Sequence, residues 1–332
     1  MTRRIHIIAE AGTNHNGKYA TAEKLVDAAV ESGADSVKYQ IIYPEGLYLP
    51  HLFVDGTYQE NEVFQKRASM MLSDDDYRNL AKYCEAKGIG FSASIFDRRG
   101  IALLDSMQVE YIKIASCDLN NSPLLVQAAE TGRRLIISTG MASLGEIEQA
   151  VSDVTATGNT NIVLMHCVSV YPAPLDRMNL TFLQTLKQAF GFPIGLSDHT
   201  EQSLAAAIAV SMGVEWIEKH VTLDRTTEGF DHKYAMEPQA LAEYIADVRS
   251  SEAACQHQPI KVGEQERTVK QRARRGLYAA RDIAAGEMIA ATDILIVRPE
   301  GPLSPNDKNL VEGRKSRRSI RQYEPFSFDL LD

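Results

Sequence analysis

Short apolar runs alternate with amphipathic stretches along most of the chain. The runs fall at residues 6–11, 35–40, 90–95, 111–116, 135–139, 162–167, 193–199 and 216–223. Between and after them, residues 20–32, 73–87, 102–107, 123–130, 144–155, 178–190, 203–212 and 238–252 carry helical periodicity. The runs are apolar on both faces, as strands of a buried parallel sheet are. Eight strand–helix pairs in about 255 residues predict an α/β protein of the (β/α)8 barrel type. A doubly wound sheet is the alternative, but no Gly-x-Gly-x-x-Gly follows the first run.

After residue 256 the pattern changes. Residues 257–272 are polar and read as a linker. Residues 277–280, 294–297 and 319–320 are short strand-like pieces separated by turn signals. The expected organisation is a barrel over 1–256, a linker over 257–272 and a small, mostly β domain over 273–332, whose own core would be marginal at that size.

Composition narrows the function classes. With 35 Lys and Arg against 44 Asp and Glu, the 332-residue chain has a net charge of −9, which argues against nucleic acid as the main partner. No apolar run is long enough for a membrane span, and the start of the chain lacks the longer apolar stretch of a signal peptide. Cys84, Cys117, Cys167 and Cys255 show no metal or redox spacing. A cytoplasmic enzyme with reduced thiols is expected.

In a barrel of this kind the active site lies at the C-terminal ends of the strands. Those ends carry Glu10, Lys38 and Gln40, Ser92 and Ser94, Lys113 and Ser116, Ser138, His166, Ser197 with Asp198 and His199, and Lys219 with His220. A charge inside an apolar strand is costly unless it is paired or used, so Glu10, Lys38 and Lys113 point to chemistry. Serines and lysines around one mouth suit a phosphate or carboxylate. His199 and His220 end adjacent strands about 4.8 Å apart and could share a metal; each alone could equally be a satisfied core histidine, as could His166. His6 belongs at the opposite end of the barrel. His51, His232 and His257 are expected in solvated loops. Asp224, Arg225, Glu228 and Asp231 form a loop on the active face.

These residues sit in stretches that resemble the sialic acid synthase family: AEAGTNHNG (9–17), SGADSVKYQ (32–40), YIKIAS (111–116), ISTGMASLGEIE (137–148), HCVSVYPAP (166–174), GLSDHT (195–200), IEKHVTLD (217–224) and DHKYAMEP (231–238). RRGLYAARDIAAGEMI (274–289) and VRPEGPLSP (297–305) resemble the antifreeze-like SAF domain. The resemblance implies metal-dependent condensation of phosphoenolpyruvate with N-acetylmannosamine or a related aldose. It implies that Lys38, Lys113, Ser116, Ser138, Ser169 and Ser197 hold phosphoenolpyruvate. It sends Glu10, Gln40, Ser94, Asp118, Tyr171, Asp231 and Arg298 to the sugar, and His199 and His220 to a divalent manganese or magnesium ion, with Glu10, Lys113 and the two histidines catalytic. A domain-swapped homodimer is also implied. Ser116-Cys117-Asp118 departs from the family's usual Ser-Gly-Glu, and the altered positions lie near the sugar. Beside N-acetylmannosamine, a diacetamido-trideoxyhexose or another aldose would therefore fit. Two other classes compete: a Schiff-base aldolase using Lys38 or Lys113, and a non-catalytic sugar-binding protein.

Overall fold

The computed structural model describes residues 4–256 and 262–332. The chain divides into two compact units, Met1–Gln256 and His257–Asp332.

The first unit begins with β1 (His6–Gly12), α1 (Tyr19–Glu31), β2 (Ser36–Ile41) and the single turn α2 (Pro44–Leu47). A hairpin of β3 (His51–Val54) and β4 (Thr57–Glu60) follows, then α3 (Glu62–Ser69) and α4 (Asp74–Lys87). Strands and helices then alternate through β5 (Gly90–Ile95), α5 (Arg98–Ser106), β6 (Tyr111–Ile114), α6 (Ser122–Glu130), β7 (Arg134–Ser138), α7 (Leu144–Ala156) and β8 (Ile162–Cys167). The unit ends with α8 (Phe182–Phe190), β9 (Ile194–Asp198), α9 (Leu204–Ser211), β10 (Trp216–His220) and α10 (Pro238–Ala254). The strands close into a parallel barrel in the order β1-β10-β9-β8-β7-β6-β5-β2, the architecture the alternating pattern predicts.

Alternation along each strand divides the side chains between two cores. One set faces the helices: Ile7, Val37, Ile112, Ile137 and Leu196 belong to the large outer core. The other set faces inward, where Ile8, Tyr111, Ile136, Val163, Met165 and Trp216 form a separate apolar plug. His6 stacks on Trp216 with ring centroids 4.1 Å apart and contacts Ser36 Oγ at 2.9 Å, so it lies at the barrel bottom. Two residues further along the same strands, the inward positions become Glu10, Lys113, Ser138, Cys167 and Glu218. The plug therefore floors a polar layer at the strand C-termini.

Local signals explain most boundaries. Ser73 and Asp76 form a capping box at the start of α4, and Gly88 ends it at φ +72°. A second box, Ser143 with Glu146, starts α7. Helix α5 begins earlier than its apolar periodicity because the Asp97 side chain accepts from Gly100 N at 2.8 Å. The hairpin β3–β4 and helix α3 lie within the insertion after β2, and the apolar side chains of the hairpin, Leu52, Phe53, Val54 and Tyr58, are exposed. His51 opens the exposed hairpin, whereas His232 is buried and contacts Thr222 Oγ1 at 2.7 Å, so the expectation of a solvated His232 is corrected. His257 and the rest of 257–261 lie outside the described residues.

In the second unit, residues read as linker form α11 (Glu264–Ala273), with acids in its first turn and bases in its last. Strand β11 (Gly276–Ala279) pairs antiparallel with β12 (Ile294–Val297), and an isolated bridge joins Ile283 to Ile320. A one-turn helix, α12 (Lys308–Val311), completes the unit. It has its own core around Leu277, Ile289, Val311 and Phe326. No helix among the described residues is long and apolar enough to cross a membrane.

Outside the barrel wall, Lys219 Nζ pairs with Asp198 Oδ2 at 3.2 Å, and Tyr244 of α10 donates to the same oxygen at 2.8 Å. Both partners of this ion pair are at most 2% exposed. Removing one partner would leave a buried charge uncompensated, so Lys219→Met should destabilise the fold by about 3–5 kcal/mol. Arg78→Met, which breaks an exposed pair with Asp75, should cost less than about 1 kcal/mol. Urea unfolding of the two variants checks this; equal costs would contradict the structural role of the buried pair.

Candidate active site

The polar layer opens into a cavity of about 320 Å³ at the C-terminal ends of the strands. Strand register builds it. Glu10 lies opposite Lys38 on one side and His220 on the other. Gln40 lies opposite Ser94, and Ser94 opposite Lys113.

Four buried charges of alternating sign occupy the cavity floor, each 4% exposed or less. Lys38 Nζ contacts Glu10 Oε2 at 2.6 Å and donates to Ser94 Oγ at 2.8 Å. Glu218 lies between the two ammonium groups, 3.5 Å from Lys38 Nζ and 3.4 Å from Lys113 Nζ. Ser197 Oγ donates to Glu218 Oε1 at 2.8 Å, and Lys113 Nζ donates to Ser138 Oγ at 2.7 Å. Burial opposes the charge on Glu218, but Lys113 and Lys38 overcome it and hold that carboxyl well below the usual range. On Glu10 burial wins: it pushes the carboxyl up to about 7 against the pull of Lys38. Gln40 Nε2 donates to the second oxygen of Glu10 at 2.9 Å.

Two imidazoles stand above this floor, with ring centroids 5.4 Å apart. His199 Nδ1 lies 2.9 Å from the carbonyl oxygen of Val168. A proton on Nδ1 satisfies that acceptor and leaves the Nε2 lone pair facing the cavity. Burial holds His220 down to about 3, so its ring is neutral, and its buried Nδ1 has no hydrogen-bond partner. A neutral imidazole with an unengaged nitrogen is a metal donor. No group of three or more His, Cys, Asp or Glu among the described residues could hold an ion; any ion here would rest on these two rings, with its other positions open.

The cavity wall brings together Glu10, Lys38, Gln40, Ser94, Lys113, Ser116, Ser138, Ser169, Tyr171, Ser197, His199, His220 and Asp231, all singled out in the sequence. It does not include Asp118. Residues Ser116–Asp118 form one tight 3-10 turn, which presents Ser116 and Cys117 to the cavity and carries Asp118 away. The Asp118 carboxylate instead accepts from Asn121 Nδ2 at 3.2 Å. Arg298 belongs to the second unit, where it is exposed just after β12. His166 is a satisfied core histidine, 2.6 Å from the Met178 carbonyl. Lys219 faces outward.

Glu218 and Tyr234 line the cavity without having been singled out in the sequence. The first had a usable signal: it lies two residues before His220, so alternation turns both inward. Tyr234 sits in the loop after β10, where no periodicity reports direction.

Close approach at Gly140 sets the serine side of the wall. A Cβ there would lie 2.4 Å from Ser169 Oγ and 2.8 Å from Ser116 Oγ. Gly140 N also donates to Ser116 Oγ at 3.1 Å. Gly140→Ala should therefore displace both hydroxyls and weaken binding of an oxyanion by at least about tenfold. Calorimetric titration with phosphoenolpyruvate measures this; unchanged affinity would show that these hydroxyls do not hold the anion.

Comparison with known proteins places this geometry in a family. The NeuB family model matches residues 25–259, and the SAF domain model matches residues 274–332. The N,N'-diacetyllegionaminic acid synthase of Legionella pneumophila is 36% identical over 321 residues, covering 93% of this chain and 90% of the relative. The enzyme of the same name from Campylobacter jejuni is 35% identical, covering 90% and 91%. The crystal structure of an N-acetylneuraminic acid synthetase from Leptospira borgpetersenii, in complex with citrate, superposes with a TM-score of 0.72 at 34% identity, covering 81% of this chain and 90% of that one. The chain belongs to the NeuB family of sialic acid synthases and carries an SAF domain at its C-terminal end.

Proposed function

We propose that the cavity condenses phosphoenolpyruvate with the open-chain form of an acylamino aldose, N-acetylmannosamine or a related sugar. The observation that carries this reading is the presence, in one cavity, of a floor of buried lysines and serines and of two imidazoles with ring centroids 5.4 Å apart. The names of the relatives support it: they are synthases of sialic-type acids.

Lys38 and Lys113, with the hydroxyls of Ser116, Ser138, Ser169 and Ser197, would hold the phosphate and carboxylate. Each ammonium has three donors, and their contacts to Glu218, at 3.4 and 3.5 Å, are long enough to yield to an incoming anion. The acceptor sugar would lie against Glu10, Gln40, Ser94, Tyr171 and Asp231. His199 and His220 fit a divalent manganese or magnesium ion: His220 Nδ1 has no hydrogen-bond partner, and His199 Nε2 has only a long contact to Ser197 Oγ at 3.5 Å. Such an ion would polarise the aldehyde oxygen of the acceptor.

The enol carbon of phosphoenolpyruvate forms the new bond to the aldehyde carbon, whose oxygen becomes a hydroxyl. Water adds at the carbon that carried the phosphate ester, and that carbon–oxygen bond breaks to release phosphate. The floor supplies orientation, bringing the two carbons into reach. Glu10, raised toward neutrality and bonded to Gln40, is placed to exchange a proton on the sugar side.

One observation speaks against Lys38 as the nucleophile of a Schiff-base aldolase. Burial opposes charge on Lys38, but Glu10 and Glu218 outweigh it and hold the amine above its ordinary value. It is an ammonium ion and not a nucleophile.

Phosphate release from phosphoenolpyruvate, assayed against a panel of acylamino aldoses with manganese or with chelator, tests the proposal. Release is expected with at least one aldose and only with metal. His199→Ala and His220→Ala should each lower it by more than about a hundredfold. Release that survives chelation would overturn the metal assignment, and no release with any aldose would overturn the reaction.

A further inference from the structure

The loop after β10 brings two side chains into the cavity wall, Asp231 and Tyr234. Tyr234 has no part in the chemistry described above, yet it touches Asp231, Tyr171 and His220. Its hydroxyl donates to Asp231 Oδ1 at 2.5 Å. Its ring lies 4.6 Å from that of Tyr171 and 5.2 Å from that of His220. Tyr171 in turn packs on His199, centroid to centroid 4.2 Å. The two tyrosines thus make one aromatic wall beside the two imidazoles.

The second oxygen of Asp231, Oδ2, is buried without a hydrogen-bond partner. It converges with two other polar ends at Gly12, whose backbone has φ +53°. A Cβ on Gly12 would lie 2.9 Å from Asp231 Oδ2, 3.3 Å from Gln40 Nε2 and 3.5 Å from Glu10 Oε1. An unpaired buried carboxylate oxygen is costly, and a donor from the substrate would satisfy it. The Tyr234 hydroxyl occupies the other oxygen, so Asp231 offers a single acceptor in a fixed direction.

We propose that Tyr234 determines which aldose is accepted. It acts in two ways. Its hydroxyl pins Asp231, so that Oδ2 demands an O–H or N–H at one carbon of the sugar. Its ring, with that of Tyr171, limits the room beside that carbon and offers only an apolar surface there. A site built to bond one substrate donor discriminates strongly against the analogue lacking it, because the protein group is left unpaired. The inference rests on the reaction proposed above and adds the residue that sets its selectivity.

The test compares wild type, Tyr234→Phe and Tyr234→Ala, with N-acetylmannosamine, its singly deoxygenated analogues and N-acyl homologues of increasing size. In the wild type, one deoxy analogue should lose more than about a hundredfold in kcat/KM. In Tyr234→Phe, the KM for N-acetylmannosamine should rise about tenfold, the KM for phosphoenolpyruvate should stay within about twofold, and the penalty on that analogue should shrink. Tyr234→Ala should also improve the relative use of the larger acyl groups. Equal rises in both KM values, or unchanged ratios among the sugars, would overturn the inference. Tyr234→Phe preserves the ring, so the test does not depend on Tyr234→Ala folding. If the wild type turned over no sugar, the reaction would fall first. Calorimetric binding of N-acetylmannosamine would then decide the role of Tyr234: weaker binding to Tyr234→Phe supports it, and equal binding, or none to the wild type, overturns it.

Discussion

Charge buried inside a parallel barrel is the constraint on which the rest of this structure depends. Glu10, Lys38, Lys113 and Glu218 are each 4% exposed or less. An isolated ion at that depth would be prohibitively costly. The strands solve this by register: opposite signs face each other, and serines supply the remaining hydrogen bonds. The four groups are not locked together equally. Glu10 and Lys38 are in close contact, while Glu218 stands farther from both lysines. The longer contacts leave Glu218 the less tightly held of the two carboxylates.

The same strands separate structure from chemistry by alternation. Asp198 precedes His199, and Lys219 precedes His220. The first members face outward and pair with each other behind the wall, where Tyr244 of α10 fixes them. The second members are the two imidazoles. An outward ion pair thus sits directly behind the inward histidines, and the apolar plug under the cavity holds the strands apart at the correct spacing. Two glycines set close approaches in the wall: Gly12 admits Asp231 and Gln40, and Gly140 admits Ser169 and Ser116, where any Cβ would push them away.

Much of this was legible in the sequence, for physical reasons. A buried parallel strand must be apolar on both faces, so Glu10, Lys38 and Lys113 stood out at once. Glu218 did not, although it obeys the same alternation as His220, because it lies in a short run already rich in charge. The Asp118 carboxylate lies toward Asn121, a direction within a tight turn that sequence distance does not report. Tyr234 was invisible for a similar reason: its loop has no period, and only the fold shows that its hydroxyl meets Asp231. Helix α11 is too polar for periodicity to mark it, and the hairpin β3–β4 leaves Leu52, Phe53, Val54 and Tyr58 exposed, so its apolar residues follow no buried face.

The central claim is that this cavity makes a carbon–carbon bond between the two substrates. Mass spectrometry of the products formed from uniformly ¹³C-labelled phosphoenolpyruvate and an unlabelled acylamino aldose tests it most directly. The expected result is one new acid that carries every labelled carbon together with the intact sugar skeleton. Labelled pyruvate and unchanged sugar as the only organic products would contradict it.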